Sequence, residues 1–245
     1  MIPQPPKPPW RAEPTQPLGL AHLGTVPYAA ASQLQESLRE RRLAGLIGDL
    51  LLYLEHPPTY TLGRRAKEGE LPLPAAFYRE RGIELFQTNR GGRITYHGPG
   101  QLVGYGIFAV KDVVAYVRAL EQAIVVALGR YGLPARARPQ DGPAYTGVWV
   151  GPRKIASIGV HVRRGVTIHG FALNVTNDLE PFRWIVPCGL SDVEMTSFAK
   201  EVGLPLEEGL HRNLARAIAQ ELAGGAPLKE IPEATLSAQA LEVAA

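Results

Sequence analysis

The sequence predicts an α/β (α+β) fold, a mixed β-sheet domain flanked by helices. Three observations predict it. Strand-like runs come in adjacent groups, helical patterns stand between the groups, and a continuous block of short β-rich pieces occupies residues 145 to 175. A strictly alternating βαβ sheet would need a helix after every strand, and the chain does not supply one.

Residues 1–17, rich in proline, read as a flexible arm. Residues 28 to 46 place Leu34, Leu38 and Leu43 on one side of a helix. "GDLLLYLEHPP" follows as an apolar run stopped by two prolines, the pattern of a buried strand. "AAFYRERG" reads as a short helix ending at Gly82, and "IELFQT" as the next strand. The glycine-rich passage "NRGGRITYHGPGQLVGYGIFAV" gains strand character in its second half.

"DVVAYVRALEQAIVVALGRYG" is the clearest helix. Asp112 is its N-cap, Val114, Val117, Leu120, Ile124 and Leu128 its apolar stripe, and Gly132 its stop. "YTGVWV", "KIASIGVHV" and "VTIHGFALNV" are separated by the turn signals "GPR" and "RRG", which predicts successive hairpins. A final helix is expected from about Leu206 to Leu222, with Leu206, Leu210, Leu214, Ile218 and Leu222 in register. Residues 226–245 read as an alanine-rich tail, which leaves 18–225 as the single folded domain.

Bulk properties exclude several classes. Of 245 residues, 45% are hydrophobic and 20% charged, ordinary for a soluble globular protein. The N-terminal stretch lacks the apolar centre of a signal peptide, and no run of about 18 apolar residues appears. A soluble, cytoplasmic protein without membrane contact is expected. The single cysteine cannot form an internal disulfide. The net charge is +3, with Arg64, Arg65, Arg90, Arg93, Arg136, Arg138, Arg153, Lys154, Arg163 and Arg164 gathered in the middle. Such a field attracts nucleic acid or an acidic protein partner alike.

That cysteine, Cys188, stands in "WIVPCGLSD". Pro187 fixes φ and Gly189 frees it, so the thiol sits on shaped loop and not on a packing face. To attack, a thiol must ionise. Lowering its pKa from about 8.5 by two units takes roughly 2.7 kcal/mol, which a cation in a partly dry site can supply. Lys154, in "GPRKIASIGV", is the candidate: it follows a hairpin turn, with Ala156 and Ile158 on its own face by strand alternation. Nothing in the spacing shows that the two meet. In "RGGRITYHGPGQ", bare or bent backbone around a short strand lets a ligand come close and offers N–H groups to an oxyanion. It matches neither the dinucleotide nor the P-loop pattern.

Four ordered stretches, "RGGRITYHGPGQ", "GVWVGPRKIASIGVHV", "HGFALNV" and "PCGL", resemble the B-type octanoyltransferases of lipoate biosynthesis (lipoyl(octanoyl) transferases) over roughly Leu18 to Gly203. The resemblance implies the mixed-sheet fold of the biotin and lipoate protein ligases. It implies transfer of an octanoyl group from octanoyl-acyl carrier protein to a specific lysine of lipoyl domains, those of 2-oxoacid dehydrogenase subunits and the glycine cleavage H protein. Cys188 would be the acyl-thioester nucleophile, and Lys154 would lower its pKa and help move protons. Arg90, Gly91, Gly92, Arg93, Ile94, Thr95, Tyr96 and His97 would line the acyl pocket, with Ser157, Ile158, Gly159, Gly170, Phe171 and Ala172. Tyr96 stands where phenylalanine is common, a change that bears on pocket polarity. No metal, ATP or other cofactor is implied beyond the phosphopantetheine carried by the donor, and a monomer is expected. The basic middle would then steer an acidic carrier protein.

Two competing readings remain from the residues. An ATP-dependent lipoate or biotin ligase of the same fold would need no cysteine nucleophile. A basic RNA-binding module would be expected to repeat "RGG" with interleaved aromatics, and it occurs once. His97, His161 and His169 show no metal-ligand spacing.

Overall fold

The computed structural model describes residues 8–12, 16–186, 193–203 and 205–236. In chain order these form β1 (Leu18–Thr25), α1 (Tyr28–Leu43), β2 (Leu50–Glu55), β3 (Thr59–Leu62), α2 (Ala75–Glu80), β4 (Glu84–Gln87), β5 (Ile94–His97), β6 (Gln101–Ile107), α3 (Val113–Gly129), β7 (Ala135–Ala137), β8 (Gly147–Val150), β9 (Arg153–Arg163), β10 (Val166–Asn174), α4 (Phe198–Val202), α5 (Leu210–Ala223) and β11 (Leu228–Glu230). The expected mixed sheet is present. Its strand order is β11-β1-β2-β6-β10-β9-β8-β7, and a smaller sheet runs β4-β3-β5. β1 pairs in parallel with β11 and β2, whereas β2, β6, β10, β9 and β8 pair antiparallel in succession.

The run "LLLYLE" forms a central strand because both faces of the large sheet are covered. Leu51 and Tyr53 point into a core shared with α3 and α5, while Leu50, Leu52 and Leu54 point into a second core beneath α1. The two-residue alternation of a strand divides the run between them. A third cluster, built on Tyr60, Tyr78, Tyr96 and Phe182, fills the small sheet.

Local signals act as read. Asp112 accepts a hydrogen bond from the Ala115 N–H at 2.9 Å and caps α3. Arg164 and Gly165 both have positive φ, 51° and 81°, and join β9 to β10 in the two-residue turn that "RRG" predicts.

Four expectations need correction. Residues 8–12 of the supposed flexible arm are packed: Trp10 is 3% exposed against Phe108 and Tyr116, and Arg11 donates to the Leu222 carbonyl. The tail contributes β11 beside β1, and Leu236 is buried, so order extends past residue 225. α5 begins at Leu210, because Gly209 ahead of it is left-handed at φ 76°; Leu206 packs against the core from outside the helix. On α3, Val114 is 69% exposed and Val117 half-buried, and Tyr116 takes the core position instead. No helix among the described residues is long and apolar enough to cross a membrane.

Candidate active site

The two sheets and the first turn of α3 enclose a cavity of about 980 Å³. β9 contributes Lys154 and Ser157 to Val160, β10 contributes His169 to Ala172, and the glycine-rich passage contributes Arg90 to Thr95 and His97. Val113, Val114 and Val117 of α3 complete its apolar lining, which explains why they are not in the core. Polar groups are few beside the apolar ones, as suits an alkyl ligand.

Glycines let the sheets meet. The Gly91 N–H donates to the Val160 carbonyl at 2.9 Å, and a Cβ on Gly159 would stand 2.7 Å from the Gly91 carbonyl oxygen. The "RGG" stretch is therefore seated directly on β9. Arg90 is buried and turns back to its own sheet, donating to the Thr61 hydroxyl and carbonyl and to the Gly91 carbonyl.

Lys154 is 1% exposed. Its Nζ donates to the Thr146 carbonyl at 2.9 Å and lies 5.3 Å from the centre of the Trp149 ring. Pairing between β8 and β9 shifts register between Val148 and Trp149. Simple alternation fails there, so Ala156 lies in the core while Lys154 and Ile158 line the cavity. Gly147 makes room for the lysine: its φ is 135°, and a Cβ there would meet Lys154 Cε at 2.7 Å. The segment 194–196 runs parallel to Lys154, whose N–H donates to Glu194 while its carbonyl accepts from Thr196, both at 2.9 Å.

Cys188 lies outside the described residues, as does the rest of "PCGL". Tyr96 needs correction: it does not line the cavity, and its ring packs between Tyr60 and Phe182 in the small-sheet core. Its hydroxyl therefore leaves cavity polarity unchanged.

A polar network that motif reading missed closes the inner end. His56 Nδ1 faces the Val26 carbonyl at 2.6 Å, so it carries the proton and Nε2 accepts from the Tyr105 hydroxyl. His97 bonds Gln101 through Nδ1 and Thr61 through Nε2. Gln101 donates to Asn174, and Asn174 donates to the Thr196 carbonyl, linking the histidine to the segment beside Lys154. Burial is the main force on these rings. It lowers His56 to about 4 and His169 to about 3, and holds His97 well below the usual range, with Arg90 adding to the shift of the last two. All three are neutral at pH 7. Among the described residues no cluster of three or more His, Cys, Asp or Glu could hold a metal. Of the basic middle, Arg93, Arg138, Arg153 and Arg163 are paired with Glu70, Asp141, Glu201 and Glu40.

The family model for the lipoyl protein ligase A/B catalytic domain matches residues 27–223. An octanoyltransferase from Solibacter usitatus is 49% identical over 216 residues, covering 85% of this chain and 96% of its own. A mitochondrial octanoyltransferase from Arabidopsis thaliana is 44% identical, covering 81% and 86%. Among solved structures, a bi-partite lipoate protein ligase from Thermoplasma acidophilum superposes with a TM-score of 0.71 at 19% identity, covering 93% and 92%, and so shares the fold. The chain belongs to the lipoyl protein ligase A/B catalytic-domain family and, by its relatives, to the octanoyltransferases within it.

Proposed function

We propose that the protein moves an octanoyl group from octanoyl-acyl carrier protein, through a thioester on Cys188, to a specific lysine of lipoyl domains. The observation that carries the reading is a buried lysine on the wall of a largely apolar cavity, beside the segment that follows Cys188. Cys188 stands two positions after Val186 and seven before Met195. The Val186 N–H is bonded to the carbonyl of Glu70, whose side chain pairs with cavity-lining Arg93, and Met195 is bridged to Lys154, which supports the reading.

The Cys188 thiolate attacks the donor thioester carbonyl and expels the phosphopantetheine thiolate, which takes a proton from the Lys154 ammonium. Neutral Lys154 then accepts a proton from the incoming lysine of the lipoyl domain. The freed amine attacks the acyl-enzyme, the amide forms, the Cys188 thiolate leaves, and one proton passes to solvent. The cavity histidines His97 and His169, and His56 behind them, are not protonated at pH 7 and so cannot act as acids there, which leaves Lys154 as the proton carrier. Because the acyl group stays a thioester until the amine attacks it, neither ATP nor a metal is required. Backbone N–H groups near the cysteine and the glycine-rich passage would hold the oxyanion.

Intact-mass spectrometry after mixing with octanoyl-carrier protein tests this. An octanoyl increment on Cys188 that disappears on adding a lipoyl domain is expected. Unmodified Cys188→Ser retaining full transfer would overturn it, and transfer that demands ATP and free octanoate would favour the ligase reading.

A further inference from the structure

Behind the cavity lies a second pocket of about 430 Å³, between α1 and β4. Tyr28 and His169 line both spaces. The Tyr28 ring is nearly parallel to His97, which faces the cavity, at 6.2 Å and 20°; His56 lies 5.3 Å away, and Phe86, 5.1 Å away, faces the pocket. The wall is therefore one aromatic ring thick at this point.

The His169 half is equally thin. Its Nε2 bonds Asn89 Oδ1, on the pocket side, at 2.7 Å, whereas its buried Nδ1 has no partner. His169 also holds a left-handed backbone at φ 61°, unusual for a residue with a side chain. Its N–H is fixed by Gln35 of α1 at 2.7 Å. His169 therefore stands between the cavity and the pocket with its backbone fixed to α1 and its ring fixed to Asn89.

We infer that Tyr28 and His169 form the partition that sets acyl-chain length: it ends the space open to the alkyl chain, and its removal joins cavity to pocket. The inference rests on the acyl-transfer reading of the cavity. Each methylene admitted to apolar surroundings strengthens binding about fourfold, so chain length becomes readable as affinity.

Calorimetric titration of the full chain with octanoic and dodecanoic acid tests it. In the unaltered protein the four extra carbons find no room, and affinity gains less than about threefold, under the increment of one methylene. In Tyr28→Ala, dodecanoic acid gains at least about tenfold over octanoic acid, a conservative share of the four methylene increments. Asn89→Ala, which releases the His169 ring, shifts the ratio in the same direction and by less. Tyr28→Leu, which keeps more of the core, carries the measurement if Tyr28→Ala does not fold. An unchanged ratio in the folded Tyr28 variants overturns the partition, as does an unaltered protein that already gains the full increment. Failure of octanoyl transfer in the mass-spectrometric assay would remove the reaction assignment while leaving this binding measurement intact.

Discussion

Gly147→Ala is the most informative single perturbation of the lysine site. Gly147 opens β8 with φ 135°, a conformation that side chains avoid, and an added Cβ would stand 2.3 Å from the Ala156 carbonyl oxygen and 2.7 Å from Lys154 Cε. The oxygen belongs to the β8–β9 ladder and cannot move far, so the lysine must yield. Backbone strain costs about 1–3 kcal/mol and the overpacking about 1–3 kcal/mol, together about 4 kcal/mol. A domain of ordinary stability, about 5–15 kcal/mol, would lose a large fraction of it. Two controls separate the contributions. Gly151→Ala carries strain without a clash, since φ is 57° and nothing lies within 4 Å, and should cost about 1–2 kcal/mol. Gly129→Ala, in α3 with open space and no positive φ, should be neutral or stabilising by up to about 1 kcal/mol. Urea unfolding midpoints read all three. Alkylation of the single cysteine against pH reads the second consequence: in Gly147→Ala the displaced ammonium leaves the thiol pKa raised. If Gly147→Ala costs no more than Gly151→Ala and alkylates like the unaltered protein, the packing of Gly147 against Lys154 does not position the cation.

Three further outcomes follow from the same geometry. Lys154→Met, close in volume and uncharged, should slow acylation of Cys188 by about 100-fold or more and move its alkylation profile to higher pH; an unmoved profile would remove Lys154 as the activating cation. The buried histidines make the fold acid-sensitive, because their lowered pKa values disfavour the charged form in the folded state. Their contribution is complete above the usual 6.5 and is lost as pH falls toward 4, with His56 alone worth about 3 kcal/mol; a thermal midpoint that stays flat between pH 7 and 4.5 would contradict this. Asn174→Leu takes one of two acceptors from Gln101 Nε2, which keeps the Tyr96 carbonyl, and leaves the Thr196 carbonyl without its Asn174 donor, at a cost of about 2 kcal/mol; a denaturation curve matching the unaltered protein would show that the link between His97 and the segment beside Lys154 carries no load.

The sequence shows most clearly what depends on neighbours in the chain. Asp112 caps α3 and Arg164–Gly165 turns the hairpin through bonds and dihedrals set within a few residues. The four motifs were legible for the same reason, and all but "PCGL" fall on described residues around the cavity. What depends on distant packing was not legible. The stripe of α3 is apolar at Val114 and Val117, but the wall of an open cavity and a packed core give the same sequence pattern. Trp10 lies in a proline-rich stretch whose composition signals a free arm, yet Phe108, Tyr116 and Arg11 give the indole enough contact to fix it. β11 is three residues long, too short for any periodicity.

Tyr96 and Lys154 show how far strand alternation can be trusted. Along β5, Ile94, Thr95 and His97 line the cavity while Tyr96 turns into the small-sheet core, so a motif read as one lining surface contains a residue that only holds the sheet. Along β9, the register shift opposite Val148 and Trp149 sends Ala156 inward and leaves Lys154 on the cavity side. Lys154 and Ile158 keep the face that alternation gives them and Ala156 departs from it, while the room for the cation is made by the bare backbone at Gly147. In that space Nζ reaches the Thr146 carbonyl and the residue is 1% exposed, and an ammonium screened from water is the kind that can hold a neighbouring sulfur in its ionised form.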